Sequence, residues 1–209
     1  RAQLDWVAAN GFGGVEIAWV YPQPGAPPGA RFLSADWSAA VADARRHALS
    51  VGLGCDLTFG TLWPFGGSFV PEADAARTHA GPSTQRLGRS WELPHEPPGR
   101  ILDHLDPGAL ERYAARVGTA LRPALAPGPA ALFCDSWEVE TRYLSTPGFE
   151  DKFLERYGYK ISDYKDSLYS NSEPYRSVRY DYMKLISEYT IDNFYKHFTR
   201  ISHELGAYS

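Results

Sequence analysis

The chain is poor in the features that mark several large functional classes. Two cysteines among 209 residues, Cys55 and Cys134, cannot frame a disulfide scaffold, and their spacing matches no zinc pattern. Both sit in apolar runs, so buried free thiols are the expectation, with a disulfide or metal role as the alternative. No run of eighteen apolar residues occurs, so no membrane span is expected. The net charge of −4 carries no basic footprint, which argues against a nucleic-acid partner. No glycine-rich phosphate loop follows an apolar run. Gly11-Phe12-Gly13-Gly14 precedes one, on the wrong side for dinucleotide binding. There is no initiator methionine and no leader pattern, and the sequence reads as a piece cut at both ends.

What is present is an alternation of helical and strand patterns. Residues 2–9 have helical spacing and end at Asn10-Gly11. Residues 13–20 read as a strand. Ser34 is an N-cap for a helix over roughly 35–49, with Trp37, Val41, Ala44 and Ala48 at helical intervals. Residues 52–58 form the second strand, and Asp106-Pro107 opens a helix reaching about Leu125. Residues 130–136 form the third strand. Thr146-Pro147 opens a helix that ends at Tyr157-Gly158, and a short helical segment lies near 161–168. Glu173-Pro174 then opens a long helix to about Leu205. The stretch 59–105 is too long for a plain connection, and Pro71 to Ala80 is expected to form a short helix within it.

Near-continuous apolar strands separated by helices imply an α/β fold with a parallel sheet and right-handed crossovers. A barrel and an open doubly wound sheet both fit. A complete (β/α)8 barrel needs eight strands and about 250 residues. Three strands make the expected fold an incomplete TIM-type barrel, one partial domain over 1–209. Composition shifts near residue 142: all five lysines lie from Lys152 to Lys196, and eleven of the thirteen tyrosines lie at or beyond Tyr143. Joining of two related parents within one fold is the preferred account. Packing of the helix near 148–157 against the strand at 130–136 bears on it.

In parallel α/β barrels the chemistry sits at the C-terminal strand ends. The first strand ends near Glu16, Trp19 and Tyr21; the second at Asp56 and Thr58, followed by Trp63; the third at Asp135, Ser136, Trp137, Glu138 and Glu140. Carboxylates beside tryptophans suit sugars, because indole offers a flat apolar face with a polar edge. The plainer reading of most of these aromatics is core. If the Cys55-Asp56 and Cys134-Asp135 pairs lie in register, the two Asp carboxyls are neighbours and titrate together. Alternatively, one Asp caps the loop that follows it. Glycosidic cleavage needs two carboxyl groups. Glu138 beside Trp137 is the candidate acid, with desolvation expected to raise its pKa, and Glu140 is the fallback. Asp135 and Glu138 have opposite strand parity, so both face one site only if the strand stops before Glu138. Carboxylates at adjacent strand ends also suit a hard cation such as Ca²⁺. His95 and His104 fall in or beside the long loop, while His47, His197 and His203 read as helix-surface or interhelical residues.

Three blocks carry a family resemblance. Gly11-Phe12-Gly13-Gly14-Val15-Glu16-Ile17, then Cys55 through Gly67 with its Trp63-Pro64-Phe65-Gly66-Gly67, then Phe133-Cys134-Asp135-Ser136-Trp137-Glu138-Val139 resemble glycoside hydrolase family 106, the α-L-rhamnosidase-type barrels. Arg156-Tyr157-Gly158-Tyr159 and Arg179-Tyr180-Asp181-Tyr182 resemble its later segment. The resemblance implies a multi-domain, secreted or periplasmic enzyme that hydrolyses terminal α-L-rhamnosidic bonds with inversion, with calcium at the site. It makes Glu138 the general acid and puts the partner base in a strand beyond Ser209. Glu16, Trp19, Asp56, Trp63, Asp135 and Trp137 then line the sugar subsite. The implied partners are a rhamnose-containing glycan or glycoside and the remaining barrel strands and accessory domains. The segment after Gly67 is shorter than in many family members. Another barrel glycosidase and a non-catalytic carbohydrate-binding fragment are the alternatives. The isolated piece is expected to be inactive and, with an apolar sheet edge exposed, poorly soluble.

Overall fold

The computed structural model describes residues 1–18, 29–60, 64–78, 81–82, 99–139, 143–168, 170 and 175–209. Helix α1 spans Ala2–Ala9, strand β1 Gly14–Ile17, helix α2 Ala35–Ser50 and strand β2 Gly54–Thr58. Four short strands follow: β3 Gly66–Gly67, β4 Arg77–Thr78, β5 Gly81–Pro82 and β6 Arg100–Ile101. Helix α3 is Pro107–Leu125, β7 is Leu132–Phe133, β8 is Leu144–Ser145 and α4 is Phe149–Tyr157. After a 3₁₀ segment at Ile161–Ser167, one long helix comprises α5 (Tyr175–Tyr189), a π turn (Thr190–Tyr195) and α6 (Lys196–Glu204).

The helix boundaries follow their caps. The Ser34 hydroxyl accepts the Trp37 N–H at 3.2 Å, and the Asp106 carboxylate accepts the Gly108 N–H at 2.9 Å. Gly158 ends α4 in the left-handed region, as its sequence position implies.

Strands β1, β2 and β7 form a parallel sheet in that order, with Glu16 opposite Asp56 and Leu57 opposite Leu132. Tyr208 adds a parallel bridge to Ala131 on the far side of β7. Each parallel strand therefore lies beside the next in sequence. Alternation divides the sheet into two faces. Cys55, Leu57 and Leu132 are buried on one, under α2, α3 and α6. Glu16, Asp56 and Phe133 lie on the other, which is exposed among the described residues. The architecture is thus mixed α/β with a three-stranded parallel sheet.

Two expected elements differ. The third strand is only two residues long, because the chain leaves the ladder after Phe133. The helix expected over Pro71 to Ala80 is a three-residue 3₁₀ turn, Glu72–Asp74. Ala75 is extended and bridges Leu102, and Arg77–Thr78 pairs with β8. Arg112 holds the buried Asp74 through both carboxylate oxygens, so tertiary contacts override the local helical preference.

Arg45 is fully buried yet donates to four backbone carbonyls: Cys55 at 3.1 Å, Ala124 at 2.6 Å, Gly128 at 3.0 Å and Pro129 at 2.7 Å. It ties β2 to the end of α3 and to the turn before β7.

The compositional change near 142 is bridged by the long helix. Phe194, Phe198 and Ile201 share one core with Leu57, Leu110 and Leu132. A Cβ on Gly118 would sit 2.9 Å from Leu205, so glycine lets α6 approach α3 closely. Helix α4 fully buries Phe149 and Phe153, but in a second core with Leu105, Tyr182 and Leu185, against which Trp137 and Val139 pack. Its apolar face thus meets the cluster that includes the segment after β7.

The π turn rephases the long helix. Burial steps by four residues through Val178, Tyr182, Ile186, Thr190, Phe194 and Phe198, a steady drift from the α-helical period of about 3.6. Wider i→i+5 winding accommodates the drift.

Candidate functional site

Glu16 and Asp56 occupy adjacent, in-register positions on the uncovered sheet face. Neighbouring strands lie about 4.8 Å apart. The Thr58 hydroxyl donates to Glu16 Oε1, and the Ala131 N–H donates to Asp56 Oδ1 at 2.7 Å. These donors offset the repulsion between two carboxylates held this close.

The structure corrects the pairing expected of the two Cys-Asp dipeptides. Leu57 opposite Leu132 places Asp56 across from Ala131, four residues before Asp135. The Asp56 and Asp135 carboxyls are therefore not register neighbours. Asp135 behaves as the alternative supposed: its Oδ1 accepts the Ser136 N–H at 2.6 Å, capping the segment that follows.

Because β7 stops at Phe133, strand parity no longer separates Asp135 from Glu138. The Ser136 hydroxyl donates to Glu138 Oε1 at 2.8 Å, so one short turn carries both carboxyls. Glu138 is exposed, and the desolvation expected from Trp137 is not seen. Trp137 is half-buried, with its ring 6.4 Å from that of His104. Its indole N–H is buried and meets no acceptor among the described residues. Trp19, Tyr21, Trp63, His95 and Glu140 lie outside the described residues.

A cavity of about 260 Å³ is lined by residues of the sheet, around the end of β7, and of the long helix. Glu16, Asp56 and Phe133 line it from the strands, and Tyr195 and Thr199 from the long helix. That lies just below the usual range of ligand pockets, about 300–1,000 Å³. Tyr195 and Thr199 escaped the sequence reading, since they come from a helix more than fifty residues after the strand. The available signal was Phe194-Tyr195, adjacent aromatics where the helical stripe changes phase.

Burial raises the Tyr195 phenol, with the Cys134 thiol and Asp135 adding to the rise. Burial pushes the Cys134 thiol to about 12 and also raises Cys55, so neither is poised as a nucleophile. Both cysteines are free. His104 is saturated, with Nδ1 bonded to the Leu102 carbonyl at 2.7 Å and Nε2 accepting the Phe65 N–H at 3.1 Å. His47 meets Asp5 and His197 meets Glu111, each linking two helices.

Among the described residues, no group of three His, Cys, Asp or Glu side chains is arranged to hold a metal. Glu16 and Asp56 supply hard oxygens but fall short of the six to eight that Ca²⁺ takes. Comparison with family models, curated proteins and solved structures gives no match. The cavity brings together hydroxyls, carboxylates and aromatic rings.

Proposed function

We propose that the chain belongs to the catalytic barrel of a glycoside hydrolase acting on terminal α-L-rhamnosides, with Glu138 as the acid. The observation that carries the reading is the placement of carboxylates on three successive parallel strands. Glu16 and Asp56 lie in register on the uncovered face, and Asp135 and Glu138 lie just past the end of the next strand. Strands laid down in sequence order, with polar groups at their C-terminal ends, are the pattern of a (β/α)8 barrel and its active face.

In this reading Glu138 protonates the glycosidic oxygen, and its exposed carboxyl is free to approach the leaving group. Glu16, Asp56 and Asp135 accept hydrogen bonds from sugar hydroxyls, and Trp19, Trp63 and Trp137 offer ring faces. The second carboxyl that cleavage requires is not among these residues in this reading.

The exposure of Glu138 favours a second reading, sugar binding without turnover. L-Rhamnose titrated against tryptophan fluorescence, together with release from an aryl α-L-rhamnoside, separates the two. In the full-length protein the hydrolase reading expects saturable binding weakened about tenfold by Asp135→Asn, and turnover reduced roughly 10²–10⁴-fold by Glu138→Gln. Binding without turnover, unchanged in Glu138→Gln, favours the second reading. Absence of saturable binding to any monosaccharide sinks both.

A further inference from the structure

After Phe133 the chain leaves the sheet, and side chains set its course as far as Val139. Exposure alternates along this segment. Ser136 and Glu138 are exposed, while Trp137 and Val139 are half-buried and pack against the second core, which contains Leu105 and Tyr182. Alternate residues of an extended chain share a side, so two inward anchors leave Ser136 and Glu138 as neighbours on the other.

The two side chains are joined there. The Ser136 hydroxyl donates to Glu138 Oε1 at 2.8 Å, and the Ser136 N–H donates to Asp135 Oδ1 at 2.6 Å. Among the described residues nothing bonds Glu138 Oε2. The two oxygens of this carboxyl are therefore not equivalent. A protonated carboxyl carries one O–H and keeps its other oxygen as an acceptor. A hydroxyl that donates to Oε1 makes Oε1 the accepting oxygen, and the proton resides on Oε2.

We propose that Ser136 is the positioning residue for Glu138: its hydroxyl holds Oε1 and directs the transferable proton to Oε2. The proton transfer rests on the rhamnoside reading, whereas the holding of the side chain does not. In that transfer the Oε2 proton passes to the glycosidic oxygen, which leaves with the electron pair of its bond to the anomeric carbon. Water forms the new bond to that carbon and gives its proton to the second carboxyl. The Ser136 hydroxyl then faces a carboxylate, a stronger acceptor than the acid it held before. Its contribution is thus larger after proton transfer than before, which is what lowers a barrier.

The test compares the parent with Ser136→Ala, and with Ser136→Thr, which keeps the hydroxyl. Three-bond Hα–Hβ couplings of Glu138, read by NMR on the chain, report whether its side chain keeps one rotamer. They are expected to be unequal in the parent and in Ser136→Thr, and to average in Ser136→Ala, with the Leu57 and Leu132 amide shifts unchanged. In the full-length protein, aryl α-L-rhamnoside kinetics are expected to show kcat about tenfold lower in Ser136→Ala, with KM unchanged and activity restored in Ser136→Thr. A donor to the charged carboxyl is lost, so the alkaline limb of the kcat profile moves to higher pH. Couplings already averaged in the parent, or unaltered in Ser136→Ala, overturn the proposal. A raised KM with kcat unchanged also overturns it, since that makes Ser136 a sugar contact. Averaging confined to Glu138 in a protein that turns over no rhamnoside supports the positioning role and removes the rhamnoside reading alone.

Discussion

Asp103 and His104 are both buried, and burial moves their protonation in opposite directions. Asp103 is raised from 3.8 to about 6, mainly by desolvation, against hydrogen bonds from Thr146 and the Leu105 N–H. His104 is lowered from 6.5 to about 4, again by desolvation. For Asp103 the folded state holds its proton more tightly, so its contribution to stability grows as pH falls from about 6 towards 4. For His104 the folded state releases its proton, so stability is lost as pH falls from about 6.5 towards 4. Each effect is worth about 3 kcal/mol across that window, and in the intact chain they nearly cancel. Relative to the parent, Asp103→Asn is expected to lose stability between pH 6.5 and 4, and His104→Gln to gain it. Urea midpoints at the two pH values check this, and parallel slopes in all three proteins refute it. The strand-end carboxylates were legible at this scale, but the partner of Asp56 was not. Alternation fixes only which face a side chain takes, and a register shift of four residues leaves every face unchanged.

At the scale of elements, the helices with side-chain caps at Ser34 and Asp106 were readable because their start signals are local. The 3₁₀ turn at 72–74 was not, since its shape is set by Leu102 and Arg112, distant in sequence. The π turn was equally hidden: its evidence is a change in buried phase that appears only once two separate cores exist. The β3–β6 pair depends on glycine for a different reason. A Cβ on Gly99 would lie 2.2 Å from the Gly67 carbonyl carbon, and one on Gly66 2.5 Å from the Arg100 oxygen. Backbone cannot retreat as a side-chain tip can. Gly99→Ala is expected to destabilise the chain by about 3 kcal/mol or more, whereas Gly13→Ala, with nothing within 4 Å, should stay within about 0.5 kcal/mol. Thermal melts of the two variants decide it, and similar melting temperatures would disprove the close approach.

Across the whole molecule, two cores of different composition share one long helix, so the shift near residue 142 does not divide the structure into independent halves. Surface is left over at the other end. Trp6 is 62% exposed and Phe12 57%, their rings 6.4 Å apart, beside a β1 edge with no partner among the described residues. Concentration-dependent self-association is expected, reduced by Trp6→Lys with Phe12→Ser. Sedimentation velocity over a tenfold concentration range tests it, and a single monomeric species throughout would count against it. Arg45 bears on how such a chain reaches its native state. Its guanidinium is satisfied only when β2, the last turn of α3 and the turn before β7 have all arrived, because each supplies a carbonyl that the others cannot replace. Until then, leaving water strands a charge in an apolar interior. Strand β2 is thereby locked to the α3–β7 junction, far from it in sequence, with a cation as the latch.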